Sequence, residues 1–344
     1  MDLIIKPLEA CNFKCTFCSS TNIAEDSNTI LPLNTIFTFL NRFPDTKTII
    51  VNGGEPLLVK PEYYWSIIRY FEEHNLPTIL SFTSNLWVFY KNPQPWISLF
   101  KHPQVGVGTS FNYGGTRLIT EKQPLTEEIF LDVMHHFNEH VGYYPEFISV
   151  INNENFENAI DNVLLAKQLG VVCKLNYAMC SGAQTYPFML AKIYQLYVQI
   201  YKHGLAEWEY NTKQFISNMV DGPDNTTCPL NRRCDEGIRC IQPDGDYYSC
   251  GSFADDKLYS IDFDAEMSST KIATPLQDDV TLQSLKNECF QCPMFNICNG
   301  CRKTIYDMKQ QGDDFIETHC GLMKQNYIDF NTSQEPTKLL CHQL

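Results

Sequence analysis

Three thiols stand close together at Cys11, Cys15 and Cys18, spaced C-x-x-x-C-x-x-C directly after a short strand-like run from Leu3 to Lys6. Three thiolates can converge on one metal site and leave one position of a four-iron cluster unclaimed, where a substrate or cofactor can bind. Clustered cysteines are more often zinc ligands or disulfide partners. Structural zinc, however, takes four closed ligands, commonly as two C-x-x-C knuckles. Here there are three thiols, and no histidine precedes His74. The open triplet favours a cluster with a vacant site.

A second signal follows one helix and one strand later. The β-branched run Lys47 to Val51 reads as a buried strand and ends in Asn52-Gly53-Gly54-Glu55-Pro56, where glycines allow close approach of the backbone to a ligand. The triplet resembles the signature of the radical S-adenosylmethionine (SAM) enzymes, and Gly53-Gly54-Glu55-Pro56 resembles that family's Gly-Gly-Glu-Pro motif. The resemblance implies a cluster on Cys11, Cys15 and Cys18 whose open iron is chelated by the methionine end of SAM. It also implies Phe17 beside the adenine, and the backbone of Gly53 and Gly54 with Glu55 at the amino group of SAM.

Those motifs need a scaffold, and 344 residues and 39.7 kDa are enough for one barrel-sized domain plus a smaller one. A net charge of -14 argues against nucleic acid as a partner, because the clustered Lys and Arg of such a footprint are missing. No apolar run reaches the ~18 residues needed to cross a bilayer, and the N-terminus lacks a signal-peptide pattern. A cytoplasmic protein without membrane partners is expected. In that compartment the 15 cysteines read as metal ligands rather than disulfides.

The elements alternate. A helix through Leu33, Ile36, Phe37 and Leu40 ends near Pro44; Pro61 to Asn75 is helical with Tyr64, Ile67, Ile68 and Phe71 inward; Thr78 to Phe82 is a strand. Pro95 to Lys101 reads as a short helix, Val105 to Ser110 as a strand, Thr126 to His140 as a helix and Phe147 to Ile151 as the fifth strand. The helix Phe156 to Leu169 buries Phe156, Ile160, Val163 and Leu164 and stops at Gly170; Val172 to Met179 is the sixth strand. Such alternation implies a parallel sheet with right-handed crossovers. The expected fold is α/β, a partial (β/α)6 TIM barrel over residues 1–186, with a bridging helix and linker over 187–226. Ligands then gather at the C-terminal strand ends. The resemblance assigns ribose contacts there to Ser84 and Asn85, Ser110 and Asn112, and Asn176, although relatives read Ser-x-Asp-Gly where this chain has Ser110-Phe111-Asn112-Tyr113.

A second group of cysteines, Cys228, Cys234, Cys250, Cys289, Cys292, Cys298, Cys301 and Cys320, defines a module over 227–325, followed by a tail over 326–344. Within it Ile238 to Ile241 and Tyr247 to Cys250 flank Pro243-Asp244-Gly245-Asp246, a β-hairpin signal. On spacing alone a two-zinc ribbon fits these cysteines about as well as two iron-sulfur clusters. The layout resembles the SPASM extension of radical SAM peptide-modifying enzymes, with one departure, a Cys298-Asn299-Gly300-Cys301 loop one residue shorter than usual. The resemblance implies two fully ligated clusters, one on Cys228, Cys234, Cys250 and Cys301 and the other on Cys289, Cys292, Cys298 and Cys320. Three [4Fe-4S] clusters and SAM are therefore the expected cofactors.

The same resemblance implies radical chemistry on a precursor peptide or protein, fed by an external one-electron reductant. SAM cleavage would yield a 5'-deoxyadenosyl radical that abstracts a hydrogen atom, and the auxiliary clusters would take the electron released as a new bond forms. Maturation of a ribosomally made peptide by a cyclophane-type carbon-carbon cross-link leads by family analogy. The first strand starts at residue 3, leaving no room for an N-terminal recognition domain, so leader recognition falls to a separate protein or to the barrel. Substrate contact is open to Trp208 to Tyr210. The alternative is oxidation of Cys or Ser in a sulfatase to formylglycine. Those maturases place an acid directly after the cysteine corresponding to Cys250, where this chain has Gly251, with Asp255 and Asp256 the nearest acids. Asp255, Asp256 and Cys180, just past the sixth strand, are the candidate catalytic side chains. A non-catalytic metal scaffold would explain the cysteines but not Gly53-Gly54-Glu55.

Overall fold

The computed structural model describes residues 1–20, 28–220, 237–268, 291–298 and 302–340. Its strands are β1 (Asp2–Ile5), β2 (Thr48–Val51), β3 (Ile79–Thr83), β4 (Val105–Ser110), β5 (Leu118–Thr120), β6 (Gln123–Pro124), β7 (Glu146–Ile151), β8 (Cys173–Tyr177), β9 (Ile238–Ile241) and β10 (Tyr247–Tyr248). One eight-stranded sheet has the order β10-β9-β1-β2-β3-β4-β7-β8. From β1 to β8 every pairing is parallel and each strand lies beside the next one in sequence. That is the singly wound order of a partial (β/α)6 barrel, and every C-terminal strand end falls on one side.

The helices close this sheet with the faces their apolar spacing dictates. Leu33–Arg42 buries Ile36, Phe39 and Leu40, and Pro61–Glu73 buries Tyr64, Ile67, Ile68 and Phe71 behind a proline in its first turn. In Glu127–Val141, Thr126 caps the start by accepting from the Ile129 N–H, with Glu127 and Glu128 in the positive first turn. The last crossover departs from the expected face. Ala159–Leu169 turns Val163, Leu165 and Ala166 inward, while Leu164 is 47% exposed. The helix is apolar around much of its circumference, so periodicity alone does not single out its buried side.

Two elements were not anticipated. A helix over Trp87–Lys91 opens from Leu86 in the left-handed region at φ 57°, and the β5/β6 hairpin follows β4. At the open end of the sheet, β8 is an edge strand. The buried carboxylate of Glu209 covers it by accepting from the backbone N–H of Leu175 at 2.8 Å. Trp208 packs partly buried against the same core rather than standing open to a substrate. The bridging helix, Leu190–Lys202, is clamped by the C-terminal helix Asp313–Leu340. Asn326 there donates to the Ala191 carbonyl at 2.8 Å, and Phe330 packs on Tyr201 and Phe215, each at 5.3 Å between ring centres.

The expected hairpin forms from β9 and β10, and it continues the barrel sheet. β9 pairs parallel with β1, Asp2 opposite Ile238 through Ile5 opposite Ile241. Lying between two strands, β9 is buried along its whole length. Arg239 within it is fully enclosed and meets Glu266 of the helix Phe263–Ser268 with Nη2–Oε1 at 2.7 Å and Nε–Oε1 at 2.9 Å, both side chains 0% exposed. Removing one partner strands the other charge in the core, which costs about 3–5 kcal/mol. Arg239→Leu should therefore lower the unfolding free energy of the cluster-loaded protein by that amount, read as a lower urea midpoint, and an unchanged midpoint would show the pair to be energetically neutral.

Candidate functional site at the strand ends

The cysteine loop leaves β1 and is gripped on three sides. Gly54 packs so closely on it that an added Cβ would lie 2.1 Å from the Ala10 carbonyl oxygen and 2.2 Å from that of Glu9. Gly53, at φ 121°, would bring a Cβ within 2.6 Å of the Leu8 oxygen. The Gly54 N–H donates to Leu8 and the Glu55 N–H to Ala10. These glycines serve first to let the β2 turn lie against the chain leading into Cys11. On the second side Lys14 and Thr16 donate to the carbonyls of Leu118 and Thr116 at 2.8 and 3.0 Å. On the third, Ala183 donates to Cys18 at 2.9 Å, and Gly182, at φ 59°, leaves no room for a Cβ beside the Cys18 carbonyl.

Glu55 is fully buried. Its Oε1 accepts from the Leu57 N–H at 3.0 Å and the Ser84 hydroxyl at 2.7 Å, and its Oε2 from the Asn85 N–H at 2.9 Å. Burial pushes its pKa up against those three donors. The amide of Asn85 in turn donates to Asn12 Oδ1 at 2.8 Å, inside the cysteine loop. Glu55, Ser84 and Asn85, expected at separate points around SAM, are thus one network that joins the ends of β2 and β3 to the loop.

Phe17 is buried beside Arg117, whose guanidinium carbon sits 5.1 Å from the ring centre. Arg117 is itself 7% exposed, and its Nε has no hydrogen-bond partner. Asn112, 1% exposed, donates to Thr116 Oγ1 at 2.7 Å while its Oδ1 is left without a partner. Buried groups left unpaired cost about 1–3 kcal/mol each, a cost that a polar ligand reaching Arg117 or Asn112 would remove. Ser110 ends β4, partly beside them and mostly buried, and Asn176 lies near the end of β8, its Oδ1 3.5 Å from the Asn211 amide. The thiols fit a cationic cluster as well. Burial, then Glu55, then Cys18 and Cys15, push the Cys11 thiol up to about 12, so this sulfur resists negative charge until a metal enters.

The candidate catalytic side chains are held in ion pairs. Asp255 contacts the buried Lys6 ammonium at the end of β1 and accepts from Ser19 at 2.6 Å and Ser20 at 3.3 Å, directly after Cys18. Asp256 pairs with Lys303 at 2.8 Å; the same ammonium contacts Asp307 and donates to the Cys180 carbonyl at 3.0 Å. Burial, then Asp307, raise the Cys180 pKa, which keeps its sulfur a protonated thiol rather than a nucleophile. Lys6, Lys303, Asp307 and Arg117 were missed in the sequence because only the fold brings their partners to them.

Of the second cysteine group, Cys250, Cys292, Cys298 and Cys320 are described, and Cys228, Cys234, Cys289 and Cys301 lie outside the described residues. Cys250 caps the helix Gly251–Asp256, its sulfur accepting from the Ser252 N–H at 3.4 Å. His319, beside Cys320, brings Nε2 to 3.1 Å from the Cys298 sulfur, and burial pushes its imidazole down to about 4.

The comparisons support the resemblance to radical SAM enzymes, and the architecture is the partial barrel that resemblance implies. No family model matches the chain. Among curated proteins it is similar to the cysteine-type anaerobic sulfatase-maturating enzyme of Clostridium novyi (strain NT), 22% identical with 88% of each chain covered. It is also similar to the enzyme of the same name from Clostridium perfringens (strain 13 / Type A), 20% identical with 96% of this chain and 95% of the relative covered. Among solved structures, native anSMEcpe with bound AdoMet and Kp18Cys peptide superposes with a TM-score of 0.68 at 16% identity, covering 99% of this chain and 98% of that one. Streptococcus suis SuiB bound to precursor peptide SuiA gives a TM-score of 0.61 at 17% identity, over 87% of this chain and 71% of that one. No helix among the described residues is long and apolar enough to cross a membrane.

The contact at Gly54 is with backbone, which cannot swing aside as a side chain can. Gly54→Ala should displace the loop entering Cys11, destabilise the protein by about 1–3 kcal/mol and lower iron uptake at the triplet. Iron analysis and thermal unfolding without added SAM check this, and normal values for both would refute the role given to the glycine.

Proposed function

We propose that this chain modifies a peptide by radical chemistry and that the product is an intrapeptide cross-link, a cyclophane-type carbon-carbon bond being the specific form. Cys11, Cys15 and Cys18 would hold the SAM-binding cluster, and the eight later cysteines, Cys228, Cys234, Cys250, Cys289, Cys292, Cys298, Cys301 and Cys320, two auxiliary clusters. When bound, these groups supply a 5'-deoxyadenosyl radical able to take hydrogen from an unactivated carbon, and an outlet for the electron that follows. Around them Phe17 would wall the adenine, and Gly53, Gly54 and Glu55 would present backbone to the amino group. Ser110, Asn112 and Asn176 would reach the ribose, with Ser84 and Asn85 fixing the wall behind it. Arg117 offers a buried cation to the carboxylate of SAM. Substrate peptide, an external reductant and a separate leader-recognition protein are the proposed partners.

The observation carrying this reading is the environment after Cys250. Gly251 has no acid to accept a proton, and an added Cβ there would crowd Ile4 at 3.3 Å. One turn on, Asp255 and Asp256 are tied to Lys6 and Lys303. Formylglycine formation remains the second reading, favoured by the names of the curated relatives.

The two are separated by mass spectrometry of peptides encoded next to the gene and of sulfatase-derived Cys peptides, each incubated anaerobically with SAM and reductant. A cross-link removes two hydrogens and keeps every sulfur, whereas formylglycine from Cys removes two hydrogens and also exchanges the sulfur for oxygen. Formylglycine on the sulfatase peptide, with neighbouring peptides untouched, would overturn the cross-linking proposal. Two results test the cofactor assignment beneath it. Reconstituted protein should carry about twelve irons, and about four irons with two zincs would make the C-terminal module structural. Replacing Cys11, Cys15 and Cys18 by Ala should abolish 5'-deoxyadenosine formation. Disrupting Cys289 and Cys292 in a protein that still folds should leave it intact while product fails to form.

A further inference from the structure

On the last turns of the helix Glu127–Val141, His136, Glu139 and His140 stand at i, i+3 and i+4, spacings that put side chains on one face. One ligand atom from each lies within 4.8 Å of the other two. The imidazole rings are 4.4 Å apart between centres and tilted by 37°. We propose that His136, Glu139 and His140 form a binding site for a divalent first-row transition metal, zinc being the fitting ion, separate from the iron-sulfur centres and independent of the reaction assigned above.

Four observations carry this. Two imidazoles and a carboxylate are the nitrogen and oxygen donors such ions take, and three protein ligands leave a position for water. The site is built rather than loose, because the ring of His136 is wedged edge-on against Phe89 at 6.1 Å and Tyr90 at 5.3 Å, and that of His140 against Phe89 at 6.2 Å. Buried Nε2 of His136 has no hydrogen-bond partner among the described residues. An unpaired ring nitrogen in that position is a cost that metal ligation removes. Finally, the site occupies the last turns of the helix, where the backbone dipole presents its negative end and a cation is favoured.

Neighbouring His135 is turned away, its Nδ1 hydrogen-bonded to the Tyr144 hydroxyl at 2.7 Å. Because the helix runs back from β4 toward the start of β7, its last turns lie at the opposite end of the barrel from the cysteine loop. That end of such barrels serves stability rather than catalysis. The bound ion would pin the end of the helix to the side chains of Phe89 and Tyr90.

The test uses the cluster-loaded protein, prepared anaerobically so that the cysteines are occupied by iron, dialysed against chelator and then titrated with zinc sulfate. Wild-type protein should take up about one zinc per chain. Zinc K-edge absorption should show nitrogen and oxygen neighbours near 2.0–2.1 Å with no sulfur near 2.3 Å. The zinc should also raise the unfolding temperature, since the unfolded chain lacks the site. His136→Asn combined with His140→Asn should lose the zinc and the thermal shift while keeping full iron. Should that double variant lose iron, the reading passes to Glu139→Gln, an exposed change that must weaken zinc binding by about tenfold or more. Sulfur in the zinc shell, zinc uptake unchanged in the variants, or no zinc bound by wild-type protein would each overturn the site.

Discussion

The contact on which the rest of the site depends is between two stretches of backbone. The Gly53-Gly54 turn after β2 lies so close to residues 8–10 that no side chain fits between them. Backbone is the stiffest material a protein has for setting position, since it offers no rotamers to relax. With the β2 turn fixed by its strand, the chain entering Cys11 has one path. The hydrogen bonds from Gly54 to Leu8 and from Glu55 to Ala10 hold it there. Three thiols meant to share one metal site must be placed before the metal arrives, and burial already raises the Cys11 pKa in that arrangement. The energy needed to hold the loop therefore comes from the sheet, one strand away.

From the glycines the constraint passes outward through Glu55. A buried carboxylate that accepts from two backbone N–H groups and a serine hydroxyl is a fixed post rather than a mobile ligand arm. Asn85 then carries the link back to Asn12. Residues with the look of a cofactor shell are in this way also the frame of the shell. The partnerless atoms at Asn112 and Arg117 face a different situation, because nothing among the described residues completes them. Frame and binding surface can be told apart by that difference in hydrogen-bond satisfaction.

What could be read from the sequence follows the same division. β-branched runs ending in glycine or serine gave away β2, β4 and the strand-end location of the site, because strand propensity and turn chemistry are local. The helix faces at Pro61–Glu73 and Glu127–Val141 were equally plain. Leu164 was not, since a helix apolar on several sides leaves its orientation to the packing around it. Trp87–Lys91 is five residues long and opens from Leu86 in the left-handed region, too short for any periodicity to announce it. Lys6 with Asp255, Lys303 with Asp256 and Arg117 over Phe17 join residues far apart in the chain, and no spacing rule foretells them. Gly53 and Gly54 stand out in the sequence as a place of close approach, and the structure adds that the chain leading into Cys11 lies against them.

The six-residue helix Gly251–Asp256 shows how the barrel and the C-terminal elements are made to act as one body. It begins at Cys250 and ends in two consecutive acids. Successive helical positions point about 100° apart, so the two carboxylates reach different neighbours. Asp255 goes to Lys6 on β1 and to the serines after Cys18, and Asp256 to Lys303 near the start of the helix Arg302–Gln311. Ion pairs this enclosed add little net stability but penalise any displacement that separates the charges. The helix that begins at Cys250 and the loop that ends at Cys18 are consequently tied to each other, and the shared sheet pairing of β9 with β1 repeats the tie at the level of backbone, so that neither part can shift without breaking both an electrostatic and a hydrogen-bonded attachment.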